Sequence, residues 1–150
     1  MNFEQHQSIG IMWWLERSEV VHNSTFYAVK TALMTQVNRL HKKRKETKVK
    51  KEKKKIVDEI NNKIIEFHDT YCLQNEYDLH GMTEKGALKY VEKRVNEVGH
   101  NFDLFIVTGR GKHSANGCSA IKNGLMRKFK SRVQINPRNP GELMLEKREK

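Results

Sequence analysis

FDLFIVTGRGKHSANGCSAIKNGLMRKF, residues Phe102 to Phe129, carries the fold decision for this 150-residue chain. Phe102–Thr108 is a nearly continuous apolar run, the pattern of a strand buried on both faces of a sheet. Ser119 to Lys130 reads as a helix, with Ile121, Leu125 and Phe129 four apart on one face. Between them, Val107–Gly117 packs three glycines, two small polar residues and Arg110, Lys112 and His113. A strand, a glycine loop and a helix in succession are the parts of an α/β unit.

The loop has the chemistry of a phosphate cradle. Gly109 and Gly111 let backbone N–H groups approach an anion closely, and the helix beginning near Ser119 points its positive end at the same region. Arg110, Lys112 and His113 add charge-assisted hydrogen bonds. The plain alternative is a βα loop whose charge is incidental. Spacing excludes two familiar nucleotide loops. Gly109 and Lys112 are too close together for the P-loop, and Ser114 fills the third glycine position of the dinucleotide fingerprint.

Outward from this unit, element types alternate. Tyr77–His80 reads as a short strand. Thr83 caps a helix running to about Val98, with Leu88, Val91, Val95 and Val98 inward and Gly99 at its end. Beyond the second helix come a strand at Arg132–Ile135, a turn at Asn136–Gly141 and a strand at Glu142–Leu145. The order β-α-β-α-β-β predicts a two-layer α/β sandwich with a mixed four-stranded sheet. Its first three strands are parallel through right-handed crossovers, and its last is antiparallel through a tight connection.

Upstream, residues 24–72 contain no Gly or Pro. Ser24 is a candidate N-cap. Phe26, Val29, Leu33, Val37 and Leu40 form one helical stripe, and Ile56, Ile60, Ile64, Phe67 and Tyr71 a second. This is one long helix or, the favoured reading, a hairpin turning near Glu46–Val49. From Arg39 to Lys55 there are eleven Lys or Arg against two Glu, a local excess of nine. That run is either a solvated helix face or an arm contacting phosphates. Residues 1–23, with Trp13-Trp14 in an apolar patch, form a docking segment or a cap on the helices. The expected organisation is therefore an N-terminal segment at 1–23, a basic helical extension at 24–75 and an α/β domain at 76–150.

Lys+Arg 29 against Asp+Glu 18 gives a net charge of +11, which favours polyanionic partners. No apolar run approaches the roughly 18 residues needed to span a bilayer, so no membrane is expected. Glu4 stands where a secretory signal wants cations. Cys72 and Cys118 lack metal-ligand or disulfide spacing and suit a reducing compartment, cytosol or nucleus.

Asp78 and His80 stand two apart at the carboxyl end of the first strand, where ligands bind in open α/β sheets. The glycine loop follows the second strand, so both features should meet at one edge of the sheet. An Asp beside a His orients the imidazole and tunes its proton. The plain reading is a hydrogen bond that fixes the turn at Gly81.

Three motifs in consistent order from Glu76 to Glu146 resemble the Smr (small MutS-related) domain: YDLHG at Tyr77–Gly81, TGRGKHS at Thr108–Ser114 and NPGELML at Asn139–Leu145. The helical segment just upstream is similar, more loosely, to the extension carried by eukaryotic members. Asn116-Gly117 departs from a common Gly-Gly pair, and Cys118 from a usual apolar residue. The resemblance implies a fold like the C-terminal domain of translation initiation factor three and a nucleic-acid-binding endonuclease. The type with a helical extension implies RNA cleavage, on mRNA of stalled ribosomes, whereas other members act on branched DNA and some bind without cutting.

The expected catalytic residues are Asp78, His80 and Arg110. The expected nucleic-acid contacts are Gly109, Arg110, Gly111, Lys112, His113 and Ser114, with Lys122 and Arg127 on the following helix. No acidic cluster of a two-metal nuclease stands near the motifs, so neither a metal nor a cofactor is expected. The partner is RNA, with DNA as an alternative.

Overall fold

A computed structural model describes residues 24–71, 75–99, 101–109 and 119–147. Two helices lead, α1 (Ser24–Glu46) and α2 (Lys50–Tyr71), joined across three residues. The hairpin reading therefore holds, with its turn within the expected Glu46–Val49. Then follow β1 (Glu76–Asp78), α3 (Glu84–Val98), β2 (Leu104–Val107), α4 (Ala120–Phe129), a 3-10 turn at Lys130–Arg132, β3 (Val133–Ile135) and β4 (Glu142–Leu145). The predicted β-α-β-α-β-β order stands, although β1 and β2 are shorter than their apolar runs. Ser119 caps α4 by accepting from Lys122 N, as Thr83 caps α3 by accepting from Gly86 N.

The sheet has strand order β1-β2-β4-β3. β1 pairs parallel with β2, and β4 pairs antiparallel with both β2 and β3. Strands β1, β2 and β3 thus share one direction, but β4 sits between β2 and β3. The tight β3–β4 turn lets β4 fold back onto β3 while its other edge pairs with β2. In β2, Leu104, Phe105 and Ile106 are 1, 3 and 0% exposed. Successive residues face opposite sides of a sheet, so both faces are covered there.

One core joins the hairpin to the sheet. Val37 of α1 and Ile56, Ile60 and Ile64 of α2 pack in the same cluster as Tyr77, Leu79, Ala87, Val91, Leu104, Ile106, Ile121, Leu125, Leu143 and Leu145. The inner face of α3 is turned slightly from the valine stripe. Ala87 and Tyr90 are buried with Val91 and Val95, while Leu88 and Val98 lie at its border. The tip of the hairpin leaves this core. Lys42, Lys43, Lys45, Lys48, Lys50, Lys51, Lys53, Lys54 and Lys55 are all exposed, and none forms an ion pair among the described residues. Among those residues no helix is long and apolar enough to cross a membrane.

Candidate active site at the carboxyl edge of the sheet

Parallel pairing sets the site. Asp78 and Val107, the last residues of β1 and β2, are register partners, and Leu79 N extends the ladder by donating to Val107 O at 2.8 Å. Both chains then leave the sheet at the same edge. Gly81 turns the first at φ +90° and Gly109 the second at φ +83°. An L side chain is strained in that left-handed region, which accounts for glycine at both places. A Cβ on Gly109 would lie 3.4 Å from His80 Cβ, so the start of the glycine loop is in contact with the histidine.

The strand ends at Asp78, so His80 reaches Asp78 through a turn rather than along a strand face. His80 N donates to Asp78 Oδ1 at 3.3 Å. The imidazole Nδ1 makes a short hydrogen bond to the same oxygen. An ionised carboxylate only accepts, so Nδ1 carries the proton and donates. Nε2 has no hydrogen-bond partner among the described residues, and the His80 side chain is 38% exposed against 16% for Asp78. The pair therefore has a held end and an open end.

The electrostatics match this geometry. The Asp78 hydrogen bond raises the His80 imidazole above its usual range, against the opposing pull of burial and Lys30. Burial alone would push the Asp78 carboxyl up, but the hydrogen bond and charge of His80, helped by Lys30, hold it at about 2. Asp78 is therefore an anion at neutral pH, and its hydrogen bond favours the protonated form of His80.

Three motifs converge on this edge. Thr108, buried, donates N–H to Gly141 O at 2.7 Å, which ties the end of β2 to the Asn-Pro-Gly turn. Ser119 Oγ donates to Thr108 O at 2.8 Å, so the two ends of the glycine loop are fastened together. Lys122 Nζ donates to Pro140 O at 2.9 Å on the same turn. Arg127 instead pairs with Glu84 Oε1 at 2.9 Å, bridging α4 to the first turn of α3. Arg110, Gly111, Lys112, His113 and Ser114 lie outside the described residues, as do Cys72, Cys118 and residues 1–23. Asp103 is at the far end of β2, where its Oδ1 accepts from Lys147 N at 2.7 Å. Among the described residues no group of three or more His, Cys, Asp or Glu side chains is arranged to hold a metal ion.

Four residues at this edge escaped the reading of the sequence, and all come from the hairpin. Lys30 Nζ is 2.8 Å from Asp78 Oδ2. His68 Nε2 lies 3.0 Å from Asp78 N and 2.5 Å from Asp78 O. His41 Nε2 is 2.7 Å from Gly81 O, and Asn61 accepts from Thr83 N at 3.1 Å while donating to Thr83 Oγ1 at 3.0 Å. A faint signal was present. Lys30 and His41 stand four residues after Phe26 and Val37, while Asn61 and His68 stand three before and four after Ile64. Polar groups at helical spacing from an apolar stripe face whatever that stripe buries against.

The described residues thus define an α/β fold with an Asp–His pair and Gly109 at one sheet edge. A curated relative, Endonuclease NBR9 of Saccharomyces cerevisiae, is 36% identical over 77 residues, covering 48% of this chain and 32% of its own length. The chain therefore spans about a third of that relative. No family model matches the chain, and no solved structure matches it.

Proposed function

We propose that this protein is an endonuclease that cleaves RNA by general acid–base chemistry, with mRNA on stalled ribosomes as its setting. The observation that carries the reading is the Asp78–His80 pair, with Nδ1 held by the carboxylate, Nε2 without a partner among the described residues and His80 Cβ against Gly109. Similarity to a protein named as an endonuclease supports the reaction class, and the Smr-like motifs support the same class.

In this reading the scissile phosphate sits in the loop that starts at Gly109, against backbone N–H groups, Arg110 and Lys112. Asp78 raises the affinity of His80 for protons. In its protonated form the ring suits donation from Nε2 to the leaving 5′-oxygen as the 2′-hydroxyl oxygen bonds to phosphorus and gives its proton to solvent. The neutral imidazole left behind is the base for the water that then opens the cyclic phosphate. Asp78 stays ionised throughout and keeps the ring in one orientation. Loop donors stabilise the charge that develops on phosphorus. The exposed, unpaired cations of the hairpin tip suit the flanking backbone, which they would hold through counterion release.

The test is a parallel assay of labelled single-stranded RNA and a four-way DNA junction, each with and without chelator. Wild type should cut RNA in chelator, and His80→Ala should lose about 10²–10⁴-fold. Preference for the junction would reassign the substrate to DNA. Salt-sensitive binding with RNA length unchanged would leave a binding module, the reading that the basic tip alone supports. Cleavage unaffected by His80→Ala would remove this site from the chemistry.

A further inference from the structure

The hairpin could be only an outrigger that carries charge, yet its contacts fall on the one segment the chemistry uses. Lys30, His41, Asn61 and His68 come from both helices and touch Asp78, Gly81 and Thr83, within six consecutive residues. Two of the four converge on Asp78. Its Oδ1 faces His80, its Oδ2 faces Lys30, and its backbone N–H and C=O face His68.

We propose that the helical hairpin is a working part of the site, in which Lys30 is a positioning residue that holds the Asp78 carboxylate on His80 while His68 fixes the Asp78 backbone. The proposal rests on reading Asp78 and His80 as the reacting pair. A carboxylate bonded at one oxygen can swing about its Cβ–Cγ bond. With both oxygens engaged it cannot, and the imidazole that it orients is held with it. Lys30 is itself placed, because its ammonium lies 5.8 Å over the Phe26 ring, and Phe26 packs against Phe67 of α2, ring centroids 5.3 Å apart. His68 is 3% exposed, next to Phe67 and 6.0 Å from the Tyr77 ring. Burial lowers its proton affinity below the ordinary value, so it serves as a neutral hydrogen-bonding group. These parts are locked to the sheet rather than free to sample it.

The charged and titratable groups facing His80 among the described residues are Asp78, Lys30 of α1 and, behind Asp78, neutral His68 of α2; His41 of α1 sits on the neighbouring Gly81 carbonyl. This set makes the sign of one experiment decisive. Removing Lys30 takes a repelling cation away from His80, which by charge alone raises the His80 midpoint. Loss of positioning does the opposite, since a carboxylate that swings away no longer supports the imidazolium.

The experiment is an NMR titration of the His80 ring protons in the 150-residue wild type, Lys30→Met, Lys30→Arg and Asp78→Asn, with RNA cleavage measured on the same proteins. The midpoint should fall in Lys30→Met toward that of Asp78→Asn and be restored in Lys30→Arg. Cleavage by Lys30→Met should lose on the order of 10²-fold in kcat, the scale of a misplacement of about 1 Å, with little change in KM. A midpoint that rises or stays in Lys30→Met overturns the proposal. If none of these proteins, wild type included, cuts RNA and the midpoint still falls, positioning by Lys30 stands and the nuclease reading fails.

Discussion

Gly109 and His80 meet across two strand ends, with the glycine at φ +83° and the space for its missing side chain 3.4 Å from His80 Cβ. At that separation a methyl group makes an ordinary van der Waals contact, so backbone strain decides the outcome of Gly109→Ala. The left-handed conformation costs a non-glycine residue about 1–2 kcal/mol. The variant should melt a few degrees lower, at roughly 2–4 °C per kcal/mol for a chain of this size, as a thermal scan would read.

The Asp78–His80 pair should leave a mark on stability against pH. His80 has a raised folded value, so its contribution is complete below the ordinary histidine value of 6.5 and disappears as pH rises through the raised one. Asp78 is lowered from 3.8 to about 2, so its contribution is complete above the unfolded value and is lost as pH falls toward 2. The stability gap between wild type and Asp78→Asn should therefore be widest between those limits and shrink on both sides. Urea unfolding across pH measures it, and a gap that keeps widening into alkali would contradict the pairing.

His68→Leu isolates the buried histidine. Nε2 serves one of the two Asp78 backbone groups, accepting from N–H or donating to C=O, and leucine keeps much of the volume but leaves that group without the ring nitrogen. An unsatisfied buried backbone group costs about 1–3 kcal/mol, so a fall in the denaturation midpoint with an unchanged m-value is expected.

Gly86→Ala reverses a usual rule. Alanine in a helix is normally favoured over glycine by about 1 kcal/mol, but here a Cβ would lie 2.3 Å from Asn61 Nδ2. Asn61 must move and give up its two bonds to Thr83, each worth about 0.5–1.5 kcal/mol. The single variant should be destabilised. In an Asn61→Ala background the same change should become stabilising, and a double-mutant cycle reads the difference.

At the hairpin tip, exchanging Lys50, Lys51, Lys53 and Lys54 for Gln should leave the melting temperature nearly unchanged, because exposed surface changes are worth within about 0.5 kcal/mol. RNA affinity should fall, and the slope of log affinity against log salt should flatten by about 0.7 for each phosphate that the tip no longer neutralises. Anisotropy titrations over a salt series would show it. An unaltered slope would mean that the tip touches no RNA backbone.

Much of the architecture was legible because it is local. The stripes from Phe26 to Leu40 and from Ile56 to Tyr71 encode helices, although the absence of Gly and Pro between them left one long helix open beside the hairpin turning near Glu46–Val49. Thr83 and Ser119 read correctly as helix starts because a cap is a contact over three residues. Strand order did not read through, since nothing in Glu142–Leu145 says which edge it will pair with besides β3. The pairing of Arg127 with Glu84 did not read through either, because it depends on where Glu84 lies in space.

By itself the sequence determined the kinds of elements, the placing of Asp78 and Gly109 at the ends of consecutive parallel strands, and the concentration of charge between Arg39 and Lys55. Side-chain period and residue type set these, and both act over a few residues. Only the tertiary structure decided that β4 enters the middle of the sheet and that Lys30, His41, Asn61 and His68 close on Asp78, Gly81 and Thr83. Periodicity says which face of a helix is buried, but the partner of that face is chosen by packing the whole core, and the polar residues at its border are carried to wherever the packing takes them.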